Sequence, residues 1–127
     1  EYQRGRKLQE QGNMSRAGEA YNEALRLDSR LAEAHAGRAY VLYAYKNLVP
    51  ALESLAAATK LDPELALAYN YRGLVYSAMQ ENDQAILNYT KAIELDPAYA
   101  EAYYNLANIT SDLGKFDDEI TSYRQAV

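Results

Sequence analysis

A single histidine, His35, and no cysteine leave this 127-residue chain few groups for covalent or metal chemistry. Disulfides, thiolate zinc sites and cysteine nucleophiles are removed together, and a serine–histidine relay has one imidazole to draw on. No phosphate-cradling glycine loop and no nucleophile elbow occurs. The acidic clusters Glu81-Asn82-Asp83 and Asp117-Asp118-Glu119 suit the positive start of a helix. A calcium loop would need a longer ordered set of oxygens with a glycine. The chain reads as a non-enzyme with no cofactor and no metal. What it holds in quantity is tyrosine, 13 residues. Tyrosine serves recognition: large contact area, few torsions to freeze, and a hydroxyl for main-chain groups. Asn70 and Asn108 add amides that could bond both the N–H and the C=O of an extended peptide.

The elements that must position these groups recur at a spacing of 34 residues. Ala66 to Tyr99 is the cleanest copy. Gly73 falls in register with Ala39 and Ala107, Ala85 with Ala17 and Ala51, and Tyr89 with Tyr21, Leu55 and Tyr123. Ala92 aligns with Ala24, Ala58 and Ala126, and Leu95-Asp96-Pro97 with Leu61-Asp62-Pro63 and Leu27-Asp28-Ser29. No insertion breaks the register. Apolar residues at 3- and 4-residue spacings, such as Ala17, Ala20, Tyr21, Ala24 and Leu25, mark helices. The spacing predicts helices over Tyr2–Gln11, Ser15–Leu27, Ala32–Tyr45, Leu48–Leu61, Ala66–Met79, Asp83–Leu95 and Ala100–Leu113, and one more from Phe116. Asn82 or Asp83 is expected to cap the sixth. Pro50 sits in a first turn, where proline is tolerated.

On Tyr69, Gly73, Tyr76, Ala85, Tyr89, Ala92 and Pro97, the chain resembles the tetratricopeptide repeat (TPR) family, whose unit is a 34-residue helix–turn–helix. The resemblance covers essentially the whole chain. It implies an all-α, right-handed superhelical solenoid of antiparallel hairpins in one domain, residues 1–127. The copies run over about 1–31 (partial), 32–65, 66–99 and 100–127 (partial). A lone hairpin cannot bury its apolar faces, so stacking supplies the stability. Gly73, Ala39 and Ala107 are expected at close helix crossings.

The resemblance also implies that the first helix of each hairpin lines a concave groove that binds a protein or peptide partner. The groove columns are Tyr2, Arg6, Gln9 and Glu10; Glu33, Ala36, Tyr40, Tyr43 and Ala44; Leu67, Asn70, Leu74, Ser77 and Ala78; and Glu101, Tyr104, Asn108, Ser111 and Asp112. Partner contact is expected chiefly from Tyr40, Tyr43, Asn70, Leu74, Ser77, Tyr104, Asn108 and Ser111. Tyr69, Tyr76, Tyr89 and Tyr103 are expected in the core, with His35 as an aromatic substitute in the column of Tyr69 and Tyr103. Family members that hold acidic chaperone tails clamp the terminal carboxylate with Lys and Asn. The clamp columns read Tyr2, Arg6, Gly37, Leu67 and Tyr71 in one frame, and Ala36, Tyr40, Tyr71, Glu101 and Asn105 in the next. Neither supplies the cations, and Glu101 would repel a carboxylate.

Net charge is −5 with a pI near 4.9, which argues against nucleic acid. No apolar run approaches the roughly 20 residues of a membrane helix. No targeting segment is read, and a cytoplasmic setting is the default expectation. Lys and Arg number six in residues 1–31 and two in 100–127, with five Asp and Glu in each; a bound segment would be oriented with its acidic end toward the first repeats. Arg4, Arg38 and Arg72 recur at the repeat spacing and are expected to tie one repeat to the next through a carboxylate or loop carbonyl. The sequons at Asn88 and Asn108 fall within helices and read as coincidence. Thr110 and Glu119 break apolar columns, which predicts a splayed last hairpin or a solvent-reaching Glu119. Two other roles fit the sequence: the recruiting arm of a larger enzyme such as a glycosyltransferase, and self-assembly through exposed end repeats into a homo-oligomer.

Overall fold

The structure, a computed structural model, describes residues 1–111. Its helices are α1 (Tyr2–Glu10), α2 (Met14–Leu27), α3 (Ala32–Ala44), α4 (Leu48–Leu61), α5 (Ala66–Ala78) and α6 (Asn82–Leu95), followed by α7 at residues 100–111. No strand occurs among the described residues. The expected second helix of the fourth copy, with Glu119 and Tyr123, lies outside them, as does the groove residue Asp112. Helices pair as α1–α2, α3–α4 and α5–α6, and each pair packs on the next through α2–α3 and α4–α5. The first helices also touch one another, α1 to α3 and α3 to α5, whereas α2, α4 and α6 do not. The first helices therefore crowd the inside of the curve. The result is an all-α repeat solenoid whose concave wall is α1, α3, α5 and α7.

Each hairpin turns through the same hydrogen bonds. The Asn13, Asn47 and Glu81 N–H groups donate to the carbonyls of Leu8, Leu42 and Tyr76 at 2.8–2.9 Å. Gly12, Lys46 and Gln80 donate to Gln9, Tyr43 and Ser77 at 2.9–3.0 Å. This helix-ending motif takes a left-handed residue just before its last position. Gly12 takes φ 78° without penalty, but Lys46 and Gln80 are held at 63° and 61°. Lys46→Gly and Gln80→Gly are expected to stabilise the chain by roughly 0.5–1 kcal/mol each, steric relief outweighing the added chain entropy. A rise in the urea midpoint at unchanged slope checks this; a fall would show that the left-handed strain is negligible.

The turn also sets where the next helix begins. Asn13 caps α2 by accepting from the Arg16 N–H at 3.2 Å. The equivalent position before α6 is Glu81, which makes no side-chain cap bond. Asn82 and Asp83 are already helical, so neither caps α6 as expected; a cap must stand just outside the helix. Between hairpins, Asp28, Asp62 and Asp96 each accept from the N–H two residues on, at 3.0–3.1 Å. This aspartate turn forms equally before Ser29 and before proline.

The core is mostly alanine, with a few large side chains between helices. Tyr21 is wholly buried and lies between Gly5 and Gly37; a methyl group on either would come within 2.6 or 2.5 Å of its ring. Gly73 stands in the same relation to Tyr89. In the second hairpin the pair is Ala39 with Leu55, both wholly buried. Gly73 and Ala39 thus occupy close crossings, while Ala107 is exposed.

Candidate functional site

Two columns of the first helices stay partly open in every described copy. One runs Arg6, Tyr40, Leu74, Asn108; the other runs Gln9, Tyr43, Ser77, Ser111. Residues three apart share a helix face, so the two columns form one strip along the concave wall. Tyr40, Tyr43, Leu67 and Leu74 are half-buried against one core cluster built on Ala36, Leu55, Tyr71 and Val75. The Tyr40 ring lies 4.9 Å from Tyr71 and 5.9 Å from Tyr43, tilted by 43° and 46°. Such pairs hold their rings in place without a hydrogen bond. A cleft of about 230 Å³ opens at the loop-side rim, lined by Tyr43, Ala44, Lys46, Leu48 and Ala78. Asn108 and Ser111 are exposed on α7.

The column of Tyr2, Ala36, Asn70 and Tyr104 behaves differently. Ala36 and Asn70 are wholly buried, because the next first helix packs over them. Asn70 Nδ2 donates to the Tyr99 hydroxyl at 3.3 Å, and its Oδ1 accepts from Asn105 Nδ2 at 3.1 Å. Its amide is consumed inside the protein and does not face a ligand, contrary to expectation. Tyr104 is 67% exposed; among the described residues no following first helix covers it. It lies in the same column as Asn70.

Sequence reasoning missed a second polar group, centred on Gln9. The Tyr21 hydroxyl donates to Gln9 Oε1 at 2.6 Å, and Gln9 Nε2 donates to the Tyr71 hydroxyl at 3.1 Å. That bridge joins α1 to α5, two hairpins apart. A signal for it was present: Leu55 breaks a column that otherwise reads tyrosine, and Tyr71 stands in the register of Gly37. The ring lost from α4 is supplied by α5, and Leu55 and Tyr71 share one core cluster.

Burial raises the hydroxyl pKa of Tyr21, Tyr89 and Tyr99 well above the ordinary value, and pushes that of Tyr71 up to about 12. The folded form thus favours the protonated phenol. Its stabilising contribution is complete below the unfolded value near 10 and is lost as pH rises through about 12. Urea midpoints should be flat to about pH 9.5 and fall steeply by about pH 11.5. Equal midpoints at both ends would mean that these hydroxyls are hydrated.

Other expectations are corrected in detail. Arg38 Nε donates to Ser54 Oγ at 3.3 Å and Arg72 Nε to Asn88 Oδ1 at 2.7 Å. Both ties lie within one hairpin and use neutral acceptors, not carboxylates between repeats. Arg4 faces Ala20 in that register, which offers no acceptor, and pairs with Glu1 instead. His35 Nε2 donates to the Ser29 carbonyl at 2.9 Å, as the Tyr69 hydroxyl does to Pro63 at 3.0 Å. The two side chains in this column tie helix to turn alike. Tyr89 is buried, Tyr69 and Tyr76 are half-buried, and Tyr103 is 48% exposed. Asn88 is 6% exposed and engaged with Arg72 and the Gln84 carbonyl. No group able to hold a metal, and no helix long and apolar enough to cross a membrane, occurs among the described residues.

Curved stacks of two-helix repeats with an open inner strip form a defined class, the α-solenoids. A tetratricopeptide repeat profile matches residues 2–66 and a TPR repeat profile matches residues 73–114; the chain belongs to the tetratricopeptide repeat family. It is similar to the first TPR domain of human RPAP3, at 25% identity and TM-score 0.80, covering 92% of both chains. It is similar also to the first TPR of Spaghetti (RPAP3), solved with the HSP90 peptide SRMEEVD, at 26% identity and TM-score 0.76 over 89% of this chain and 90% of that one. MamA is 27% identical with TM-score 0.74, over 98% of this chain and 73% of that one. No curated protein gives a significant match.

Proposed function

We propose that the chain is a protein-interaction scaffold that binds an extended peptide segment of its partner along the concave strip of Tyr40, Tyr43, Leu74, Ser77, Asn108 and Ser111. The observation that carries this reading is the pair of columns that stays partly open in every described first helix, beside the buried Ala36, Gly37, Asn70 and Tyr71. The strip offers fixed aromatic rings, one aliphatic side chain and small polar groups at its floor and far end. Such a surface binds by preorganisation: little protein entropy is lost when a peptide settles on rings already held by the core. The relative solved with a bound peptide, at 26% identity, supports peptide binding as the use of this scaffold. Tyr104 and Asn70 belong to the stacking column and are left out of the contact set.

The test adds bulk without removing core contacts. Ser77→Trp with Asn108→Trp should lower partner capture from the source extract at least tenfold, a change of about 1.4 kcal/mol. Gln84→Trp, on exposed α6, should leave it unchanged. Equal capture by all three folded proteins would move the binding site off the concave strip.

A further inference from the structure

The charge around the strip is uneven, and it specifies an occupant. Glu101 is exposed on α7, one turn before Asn105, which bonds Asn70 of α5. The face of α7 that carries Glu101 is therefore the one turned toward α5 and the concave wall. It shares a column with Glu33 and Leu67, so the first helices present two carboxylates there and no cation. Four tyrosine hydroxyls on different elements, Tyr40, Tyr71, Tyr89 and Tyr99, all feel the negative charge of Glu101. Two cations border the strip, and Arg6 also acts on Tyr71 and Tyr99. Arg6 donates to the Tyr2 hydroxyl at 3.2 Å, and Lys46 is exposed at the loop rim. Neither is among the charges acting on Tyr40, which feels burial, Glu101 and Tyr43.

An aromatic face next to a carboxylate is the environment a guanidinium or ammonium group prefers. The ring quadrupole attracts the cation, and the carboxylate supplies the counter-charge. We propose that the Tyr40–Tyr43 pair, with Glu101 as counter-charge, receives a Lys or Arg side chain of the peptide that occupies the concave strip. This rests on the peptide-groove reading and adds to it the sign of the ligand. The net charge of −5 acts in the same direction. The orientation follows as well: the basic residue lies toward α7, away from Arg6.

The test is panning of a degenerate nine-residue peptide library on the immobilised full chain, with sequencing of the retained pool. Lys and Arg should be enriched about fivefold over Asp and Glu at one position or two, the discrimination expected of a partly exposed cation–π contact. Glu101→Gln should erase that enrichment, and Glu94→Gln, an exposed carboxylate on α6, should preserve it. Enrichment of acidic residues, or a flat charge profile, overturns the inference. So does an equal loss in both glutamine variants, which would reflect bulk charge alone. The Ser77→Trp, Asn108→Trp variant separates the two readings. If an acidic or uncharged preference disappears in it, the groove stands and only the ligand's sign is wrong. If it retains the same pool as the parent, the groove reading falls too.

Discussion

Gly73→Ala is expected to lower stability by about 2–3 kcal/mol, one of the larger losses available to a single methyl group. The Tyr89 ring lies where the new Cβ would stand. The ring is 1% exposed and closed in by Ala85 and Ile109, so it has no open side to retreat to. The thermal midpoint should fall by roughly 6–12 °C. The second hairpin shows the remedy, since there alanine at the crossing is matched by leucine: Ala39 with Leu55. Gly73→Ala combined with Tyr89→Leu should therefore recover at least half of the loss, with a coupling of about 1–2 kcal/mol in a double-mutant cycle. Additive losses would show that the two sites do not share one volume.

Asn70→Ala should cost about 2–4 kcal/mol, through two stranded polar groups and a small cavity. The amide is wholly buried, and its loss leaves the Tyr99 hydroxyl and the Asn105 amide without their partners. Asn105→Ala should cost less, about 1 kcal/mol, because Asn105 is only half-buried and water can replace it. Urea unfolding followed by circular dichroism separates the cases. A fully stable Asn70→Ala protein with weakened partner binding would return this residue to the groove. On the present geometry it belongs in no binding variant, because a fall in capture would report unfolding.

The repeat period and the helix positions were legible because they are local. Spacing fixes which face of each helix is apolar, and the Asp-containing turns repeat with it. The candidate site was legible in part. Tyr40, Tyr43, Leu74 and Ser77 sit at half-open positions of the inner helices, as the family register implies. Asn70 was misread because its column faces the next first helix, so its exposure is set by stacking rather than by the residue. The Gln9 bridge lay beyond the period altogether. It depends on a substitution in one hairpin being answered in the next, Leu55 by Tyr71, and a column-by-column reading treats such departures as noise. The chaperone-tail comparison is instructive too: a relative at 26% identity was solved with the HSP90 peptide SRMEEVD, while the clamp columns that the family resemblance implies include Tyr40, Tyr71 and Glu101 here.

The Gln9–Tyr71 hydrogen bond has a consequence for how the stack comes apart. A solenoid held only by nearest neighbours frays from its ends, one hairpin at a time. Here the loss of α1 is felt two hairpins away. Its departure would leave the hydroxyl of Tyr71, a residue only 5% exposed, without its partner, and would uncover Tyr21 as well. The opening of the α1–α2 hairpin is thereby tied to the α5–α6 hairpin, and amide-proton exchange in α1 should report on the same cooperative unit as α5.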